Sequence, residues 1–189
     1  PFLGGAAMLF HLQPKKAIVN DVNADLINMY QVIKNRVDDL ISELEAHPNN
    51  EQHFYEIRDW DRNKAFYDDK TDVEKAARLI FLNKTCYNGL FRVNNAGEFN
   101  TPFGHYVNPG IVNAPVLKAV SKYLQDNEVT FYNGDFSAAL KNANDKSFVY
   151  FDPPYDPISD SSSFTGYTKE GGGLKLWILK KQKNYHMKI

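Results

Sequence analysis

Residues 149–155 read Val-Tyr-Phe-Asp-Pro-Pro-Tyr, an apolar run that ends in an acid, two prolines and an aromatic ring. Valine and aromatic residues favour β-strands, and proline cannot donate a ladder hydrogen bond, so the pattern predicts a buried strand that ends at Asp152. In open α/β sheets, ligands bind at the carboxyl ends of the strands. The stretch therefore predicts either a functional carboxylate at a sheet edge or only a stiff loop after a strand.

Two other segments end in the same way. Residues 16–21 form a short β-type run that ends at Asp21, and residues 129–136 form a second run with Asp135 near its end. A helical pattern runs from Asn23 to Leu44, and others cover residues 72–83, 114–125 and 137–140. This alternation predicts an α/β fold with a Rossmann-like, doubly wound, mostly parallel sheet, whose strand-end acids converge on one rim.

A glycine turn opens the chain. Residues 2–6 read Phe-Leu-Gly-Gly-Ala and lead into an apolar, helix-compatible run. Glycines at such a turn let the backbone approach a bound cofactor closely, and an acid at the end of the next strand can accept hydrogen bonds from ribose hydroxyls. Gly4, Gly5 and Asp21 therefore fit a nucleoside-binding unit. Taken singly, the glycines could form a tight turn and the acid could cap a helix.

The segment from residue 83 to residue 106 is rich in amides and glycine. Its residues 90–93 and 98–100 have β-type patterns joined by Asn-Asn-Ala-Gly, which predicts a β-hairpin with a four-residue connection. Asparagine can pair with adenine and arginine with guanine in a DNA groove, although such hairpins also occur without nucleic acid. The charged residues of segment 58–64, just upstream, are interpreted as a solvated face.

The composition limits the classes of protein to which the chain can belong. The chain has 189 residues, 43% hydrophobic and 24% charged, as in a soluble globular domain with an insertion. No apolar run approaches the roughly 20 residues that span a bilayer. The one cysteine, Cys86, suits a reducing cytoplasm and is interpreted as a buried apolar residue. The net charge of −1 means that a nucleic-acid binder needs a local basic face.

The ordered set of motifs resembles the Dam-type DNA adenine-N6 methyltransferases over roughly residues 1–173. The matching segments are residues 2–6, 20–27, 88–94, 97–100, 134–136 and 152–155. The resemblance implies transfer of a methyl group from S-adenosylmethionine to adenine N6 in double-stranded DNA, commonly within GATC. It also implies a catalytic domain of residues 1–44 and 114–173, a target-recognition insertion of residues 45–113, and an atypical lysine-rich tail of residues 174–189.

The resemblance assigns roles to individual residues. The cofactor would lie against Phe2, Gly4, Gly5, Asp21, Asp135 and Phe136. The catalytic group would be Asp152, Pro153, Pro154 and Tyr155, with the Asp152 carboxylate and the Pro153 carbonyl accepting from the adenine amino group. Tyr155 would stack on the flipped base, and no metal is required. The DNA would contact Asn88, Arg92, Asn94, Asn95 and Asn100.

Several features depart from the family pattern. Ala6 stands where relatives often have a third glycine, and Ala96 stands at a hairpin position that is often basic. The family's upstream Gly-Gly-Lys segment and the strands expected after residue 171 have no counterpart, so we expect a chain truncated at both ends. One alternative is therefore a catalytically dead remnant that still binds DNA or cofactor. Another is a dinucleotide-dependent oxidoreductase, in which Asp-Pro-Pro-Tyr would have no role.

Overall fold

The computed structural model describes residues 1–141 and 143–152. Eight α-helices and two strands lie in this part of the chain, with 3₁₀ turns at Asp59–Arg62 and Tyr87–Gly89. Their order and bounds are α1 Ala7–Leu12, β1 Lys16–Asp21, α2 Ala24–Asn35, α3 Val37–Glu45, α4 Glu51–Arg58, α5 Lys64–Asp68, α6 Asp72–Thr85, α7 Ala114–Asp126, β2 Glu128–Asn133 and α8 Ser137–Leu140.

The two strands pair in parallel, as the alternation of strands and helices predicts. Their register runs from Lys16 opposite Glu128 to Asp21 opposite Asn133. The carboxyl ends therefore lie side by side, and the main-chain N–H of Gly134 donates to the Asp21 carbonyl oxygen at 3.1 Å. Asp135 does not end the second strand as predicted, because Gly134 has a φ of 140° and turns the chain out of the ladder.

The strand predicted at residues 147–152 is absent from the described part of the chain. A strand exists only where a neighbour completes its hydrogen bonds, and in this two-stranded sheet β1 and β2 each keep one outer edge. Among the described residues, this segment pairs with neither edge. Its apolar side chains are correspondingly exposed, including Phe148 at 77% and Phe151 at 43%. That prediction was therefore wrong, although the segment still reaches the sheet edge.

Five of the eight described α-helices begin at a residue whose side chain caps them. The Asn23 side chain accepts a hydrogen bond from the Leu26 N–H at 3.1 Å, and Asn113 accepts from Val116 at 3.2 Å. The helix near residue 72 begins with a capping box, in which the Thr71 side chain and Glu74 bind each other's main chain.

The single helix predicted from Asn23 to Leu44 is two helices. Arg36 has non-helical angles, φ −142° and ψ 41°, and separates α2 from α3. The break leaves the Lys34 carbonyl oxygen without its helical donor. Side chains of α7 replace that donor, since Gln125 Nε2 lies 2.5 Å and Ser121 Oγ 3.4 Å from this oxygen. Packing against α7 thus overrides a hydrophobic periodicity that continues through the break.

Aromatic side chains join the sheet to the helices around it. The ring of Tyr30 on α2 stacks on Phe131 of β2 with a centroid distance of 6.1 Å. Phe10 of α1 contacts both Tyr30 and Tyr123 of α7, again at 6.1 Å. The Tyr123 hydroxyl donates to the Pro14 carbonyl oxygen and so fixes the turn that leads into β1. Such ring contacts add to the stability that comes from burial alone.

The predicted insertion shares its core with the predicted catalytic domain. The fully buried side chains Leu40, Leu44, Phe54, Phe81 and Leu82 belong to the same cluster as Tyr30 and Val129. Helix α6 packs against α2 as well as against α3 and α4. The division at residues 44 and 113 stays a prediction, and the two parts are packed as one body of hydrophobic side chains.

His47 is buried where α3 meets α4, beside the half-buried His53. His47 Nδ1 lies 2.8 Å from His53 Nε2, and the His47 ring lies against Phe81 with centroids 5.0 Å apart. The carboxylates of Glu43 and Glu56 are at 3.9 Å from His47 and 3.8 Å from His53. Burial, with a smaller contribution from the charge of His53, lowers the pKa of His47 to about 4.

We expect the free energy of unfolding to depend on this histidine. The unfolded chain protonates His47 near its ordinary pKa of about 6.5, whereas the folded protein does so only near pH 4. Stability should therefore fall by up to about 3 kcal/mol as the pH decreases from about 6.5 to 4, and level off below. Urea denaturation across this range measures the effect. His47→Gln should flatten the profile, whereas His11→Gln, at an exposed histidine, should leave it unchanged.

Candidate active site

The edge formed by the carboxyl ends of β1 and β2 is organised by a buried amide. Asn20 is 1% exposed, and its Nδ2 donates to the carbonyl oxygens of Pro1 and Gly134, both at 3.0 Å. A buried amide needs such partners because water no longer satisfies it. Asn20 thus holds the loop before α1 and the loop after β2 against each other. The sequence analysis missed this residue, although a polar side chain within a β-type run was a visible signal.

The predicted ribose-binding acid and the glycine turn are in direct contact. The Asp21 carboxylate accepts hydrogen bonds from the main-chain N–H groups of Gly4 and Asn23, each at 3.0 Å. The Tyr30 hydroxyl donates to the Gly4 carbonyl oxygen at 3.1 Å. Burial and the charge of Asp21 raise the pKa of Tyr30, which keeps its hydroxyl a donor. Both the N–H and the carbonyl group of Gly4 are therefore hydrogen-bonded, which fixes the turn.

The glycine turn leaves open space in front of it. Gly4 has a φ of 49°, a conformation that favours glycine. A Cβ atom added at Gly4 or Gly5 would meet no other atom within 4 Å, so packing does not require these glycines to be small. Ala6, in place of the third glycine, adopts a φ of 55° and is buried. The turn therefore has free space on this side, and its role toward a cofactor stays a prediction.

Three phenylalanine rings bring the separate segments of the site together. Phe2 lies 5.3 Å from Phe136 and 6.5 Å from Phe151 between ring centroids, and Phe136 lies 6.3 Å from Phe151. The cofactor-binding candidates Phe2 and Phe136 thus contact the residue that immediately precedes Asp152. Asp152 is exposed at this edge. Pro153, Pro154 and Tyr155 lie outside the described residues.

Asp135 has a structural contact as well as an exposed position. Its Oδ1 accepts from the Ser137 N–H at 2.9 Å, at the start of α8. This contact between residues two apart is an Asx turn, which short acids form readily in loops. The contact fixes the carboxylate beside Phe136, and its role toward a cofactor stays a prediction.

The predicted hairpin is present as a short antiparallel bridge between Val93 and Phe99. Asn94 shapes its tip, because Oδ1 accepts from the N–H groups of Ala96 and Glu98 and Nδ2 donates to the Glu98 carboxylate. Arg92 is exposed, and its Nε donates to Asn100 Oδ1 at 2.8 Å. The exposed tip residues are Asn95, Ala96 and Gly97. Of the five predicted DNA-contacting residues, Asn94 therefore makes the most side-chain hydrogen bonds within the hairpin.

Asn88 lies in a second exposed loop near the base of the hairpin. It has a φ of 53°, and its N–H donates to the Tyr106 hydroxyl at 3.0 Å. The neighbouring Tyr87 is 55% exposed, and Leu90 and Tyr106 are 40% exposed. The sequence analysis did not single out these apolar side chains. An exposed aromatic beside amides was the signal, since an aromatic face can stack on a base.

The segment 58–64 is not simply a solvated face. Asp61 accepts from the Phe99 N–H at 2.8 Å, and Arg62 donates to the Phe99 carbonyl oxygen at 2.6 Å. The side chain of Asp61 is only 14% exposed. The prediction of a solvated face was wrong because the hydrogen-bond partners of this segment are distant in sequence. A local pattern of alternating charges could not reveal them.

Within residues 1–141 and 143–152, we also considered a reactive cysteine, a metal site and a membrane-spanning helix. Cys86 is buried, and burial raises the pKa of its thiol to about 11, which agrees with the predicted structural role. In the same residues, no three histidine, cysteine or acidic side chains are grouped as metal ligands would be. The described helices are all too short or too polar to cross a bilayer.

Comparison with known proteins identifies the family to which the chain belongs. Residues 1–176 match the family model described as D12 class N6 adenine-specific DNA methyltransferase. The chain is 43% identical over 173 residues to the type II methyltransferase M1.LlaDCHI of Lactococcus lactis, covering 90% of this chain and 61% of that protein.

Two further relatives come from distant organisms. The type II methyltransferase M.MjaIII of Methanocaldococcus jannaschii is 46% identical over 183 residues, which cover 89% of this chain and 62% of the relative. The DNA adenine methylase of Escherichia coli K12 is 31% identical over 171 residues, or 88% and 59%. The chain thus spans about three fifths of the length of these relatives.

We expect Asn20→Ala to loosen the sheet edge. The change removes two buried hydrogen bonds and leaves the carbonyl oxygens of Pro1 and Gly134 without that donor, so the free energy of unfolding should fall by about 1–3 kcal/mol. Chemical denaturation measures this loss. The matched control is Asn28→Ala, which removes one exposed amide-to-carbonyl bond to Asp72 and should change stability by less than about 0.5 kcal/mol. Equal effects of the two variants would contradict the organising role of Asn20.

Proposed function

Because the chain belongs to the D12 class N6 adenine-specific DNA methyltransferases, we propose that it forms the catalytic part of a DNA methyltransferase. The enzyme transfers a methyl group from S-adenosylmethionine to N6 of adenine in duplex DNA, within GATC. The observation that carries this proposal is the contact of Phe2 and Phe136 with Phe151, beside the Gly4–Asp21 pair. These contacts put the candidate cofactor residues next to Asp152.

The sheet edge supplies the groups that a nucleoside cofactor needs. Asp21 accepts hydrogen bonds from ribose hydroxyls, the Gly4–Gly5 turn leaves room for close approach, and Asp135 accepts from an adenine amino group. S-adenosylmethionine supplies an electrophilic methyl group on a positively charged sulfur. The electron-rich ring face of Phe2 suits such a cation.

The reactivity of the target amine explains the need for Asp152. The lone pair of the adenine N6 amine is delocalised into the ring, which makes it a poor nucleophile. An acceptor at each N–H proton favours a tetrahedral nitrogen whose lone pair is free to attack. The Asp152 carboxylate provides one acceptor and the main-chain carbonyl of Pro153 the other. Positioning and electrostatics of this kind supply the rate without a covalent intermediate.

The target base must leave the duplex to reach Asp152. Unstacking costs a few kcal/mol, and an aromatic face in the pocket recovers about 1–3 kcal/mol by stacking. Tyr155 is the residue proposed for this role. The exposed hairpin and Arg92 face the neighbouring bases, where an arginine can read guanine. The type II names of two relatives favour a role in restriction and modification, and a regulatory role is the alternative.

We expect Asp152→Ala to abolish methyl transfer. Loss of one charged acceptor should lower the transfer rate at least about a hundredfold while cofactor binding is retained, because Asp21 and the glycine turn are unchanged. Incorporation from tritiated S-adenosylmethionine into a GATC duplex measures transfer, and equilibrium dialysis measures binding. Asp145→Ala, at another exposed aspartate, is the matched control and should keep full activity.

The unmodified chain distinguishes the alternatives in the same assays. Binding of cofactor and DNA without any transfer would identify a remnant that has lost catalysis. Failure to bind S-adenosylmethionine at all would refute the proposal.

Arg92→Ala should weaken and broaden DNA recognition. Loss of a bidentate base contact costs about 1–3 kcal/mol and relaxes the preference at one base pair. Titration of GATC and single-substituted duplexes by fluorescence anisotropy checks both effects. Arg36→Ala, which removes an exposed arginine paired with Asp39 at the α2–α3 break, should preserve the preference. Identical affinity profiles for Arg92→Ala and the unmodified chain would exclude base reading by Arg92.

A further inference from the structure

The hairpin is anchored by hydrogen bonds to the main chain of one of its residues, Phe99. The Phe99 N–H donates to Asp61 Oδ2 at 2.8 Å, and the Phe99 carbonyl oxygen accepts from Arg62 Nη2 at 2.6 Å. Both main-chain hydrogen-bonding groups of Phe99 are thus satisfied by two consecutive side chains of the 3₁₀ turn, as a neighbouring strand would satisfy them. The Phe99 side chain is 2% exposed and contacts Phe91 at 5.6 Å.

Asp61 is itself held by a buried cation. Arg78 of α6 is 4% exposed, and its Nη2 lies 2.7 Å from Asp61 Oδ2. The same guanidinium donates to the carbonyl oxygens of Ile57 at 2.9 Å and Arg58 at 2.8 Å. A buried ion pair whose cation also donates to two carbonyl oxygens has a defined geometry. The position of Asp61 is therefore set by α6 and by the end of α4.

The two chain neighbours of Phe99 are in turn hydrogen-bonded to side chains nearer the surface of the hairpin. Asn100, next to Phe99, accepts from Arg92 Nε at 2.8 Å. On the other side of Phe99, Glu98 lies 3.7 Å from Arg62 Nε and accepts from Asn94 Nδ2 at 2.7 Å. Arg92 and Asn94 are thus linked to Phe99 through its two chain neighbours, Asn100 and Glu98.

We infer that Asp61, supported by Arg78 and Arg62, is a positioning residue for target-sequence discrimination. It holds the hairpin so that Arg92 and Asn94 meet the base edges in a fixed register, without itself contacting DNA. This inference rests on the proposed function for its role in discrimination. The anchoring of the hairpin is independent of that function and can be measured in the free protein.

Amide hydrogen exchange of the full chain, without DNA or cofactor, tests the anchoring. In Asp61→Ala, the Phe99 amide should exchange at least about tenfold faster, together with the Asn94 and Asn100 amides that close the hairpin. Because Asp61→Ala leaves Arg78 buried without its partner, Arg62→Gln is the second variant. It retains the Asp61–Arg78 pair and should speed exchange at Asn94 and Asn100. Amides of α6 report whether each variant is folded.

Anisotropy titrations with a GATC duplex and the same duplex with a scrambled site test discrimination. The ratio of the two affinities should fall about tenfold in both variants. Asp68→Asn is the control for Asp61→Ala, because it removes the same negative charge from an exposed ion pair with Lys64. It should leave both exchange and the affinity ratio unchanged.

Two results would overturn the inference. Unchanged exchange at Asn94, Phe99 and Asn100 in the folded variants would refute the anchoring. Faster exchange with an unaltered affinity ratio would refute the role in discrimination. If the unmodified chain does not discriminate between the duplexes, the proposed function fails and the role in discrimination fails with it, while the exchange rates still decide the anchoring.

Discussion

The side-chain amide of Asn20 is the constraint on which the candidate site depends. It is almost completely buried at the end of β1, where its Nδ2 donates to two carbonyl oxygens, and those oxygens belong to the two loops that form the site. With these loops in contact, the main chain of Gly4 reaches Asp21, and the ring of Phe2 reaches Phe136. A buried polar group thus defines the relative position of segments that are more than a hundred residues apart.

Helix α6 connects this edge to the hairpin. Along its length it packs against α2, and within it Arg78 holds Asp61. After its end, Cys86 bridges to Phe103 beyond the hairpin. Because the helix is buried against α2, α3 and α4, it transmits a rigid position from one functional region to the other. The proposed catalytic and recognition regions are therefore parts of one packed core.

Local chemistry was sufficient to predict much of the fold. Capping side chains at Asn23 and the β-type run that ends at Asp21 depend on neighbours in sequence, and both are where the sequence indicates. The break at Arg36 and the grip of Asp61 on the hairpin depend on partners in other elements, so no local pattern could show them. At Asp152 the residue was identified by its motif, but its strand was not found, since pairing is a property of two segments and not of one.

The hairpin is attached at its base by main-chain atoms, whereas Asn95 and Ala96 at its tip are exposed. Substitutions at the tip therefore alter the surface that we propose faces DNA while leaving the contacts that stabilise the fold untouched. The residues proposed to contact DNA are thus different from the residues that stabilise the fold. It gives a lineage freedom to acquire new target sequences by changing a few surface residues, with the catalytic edge inherited intact.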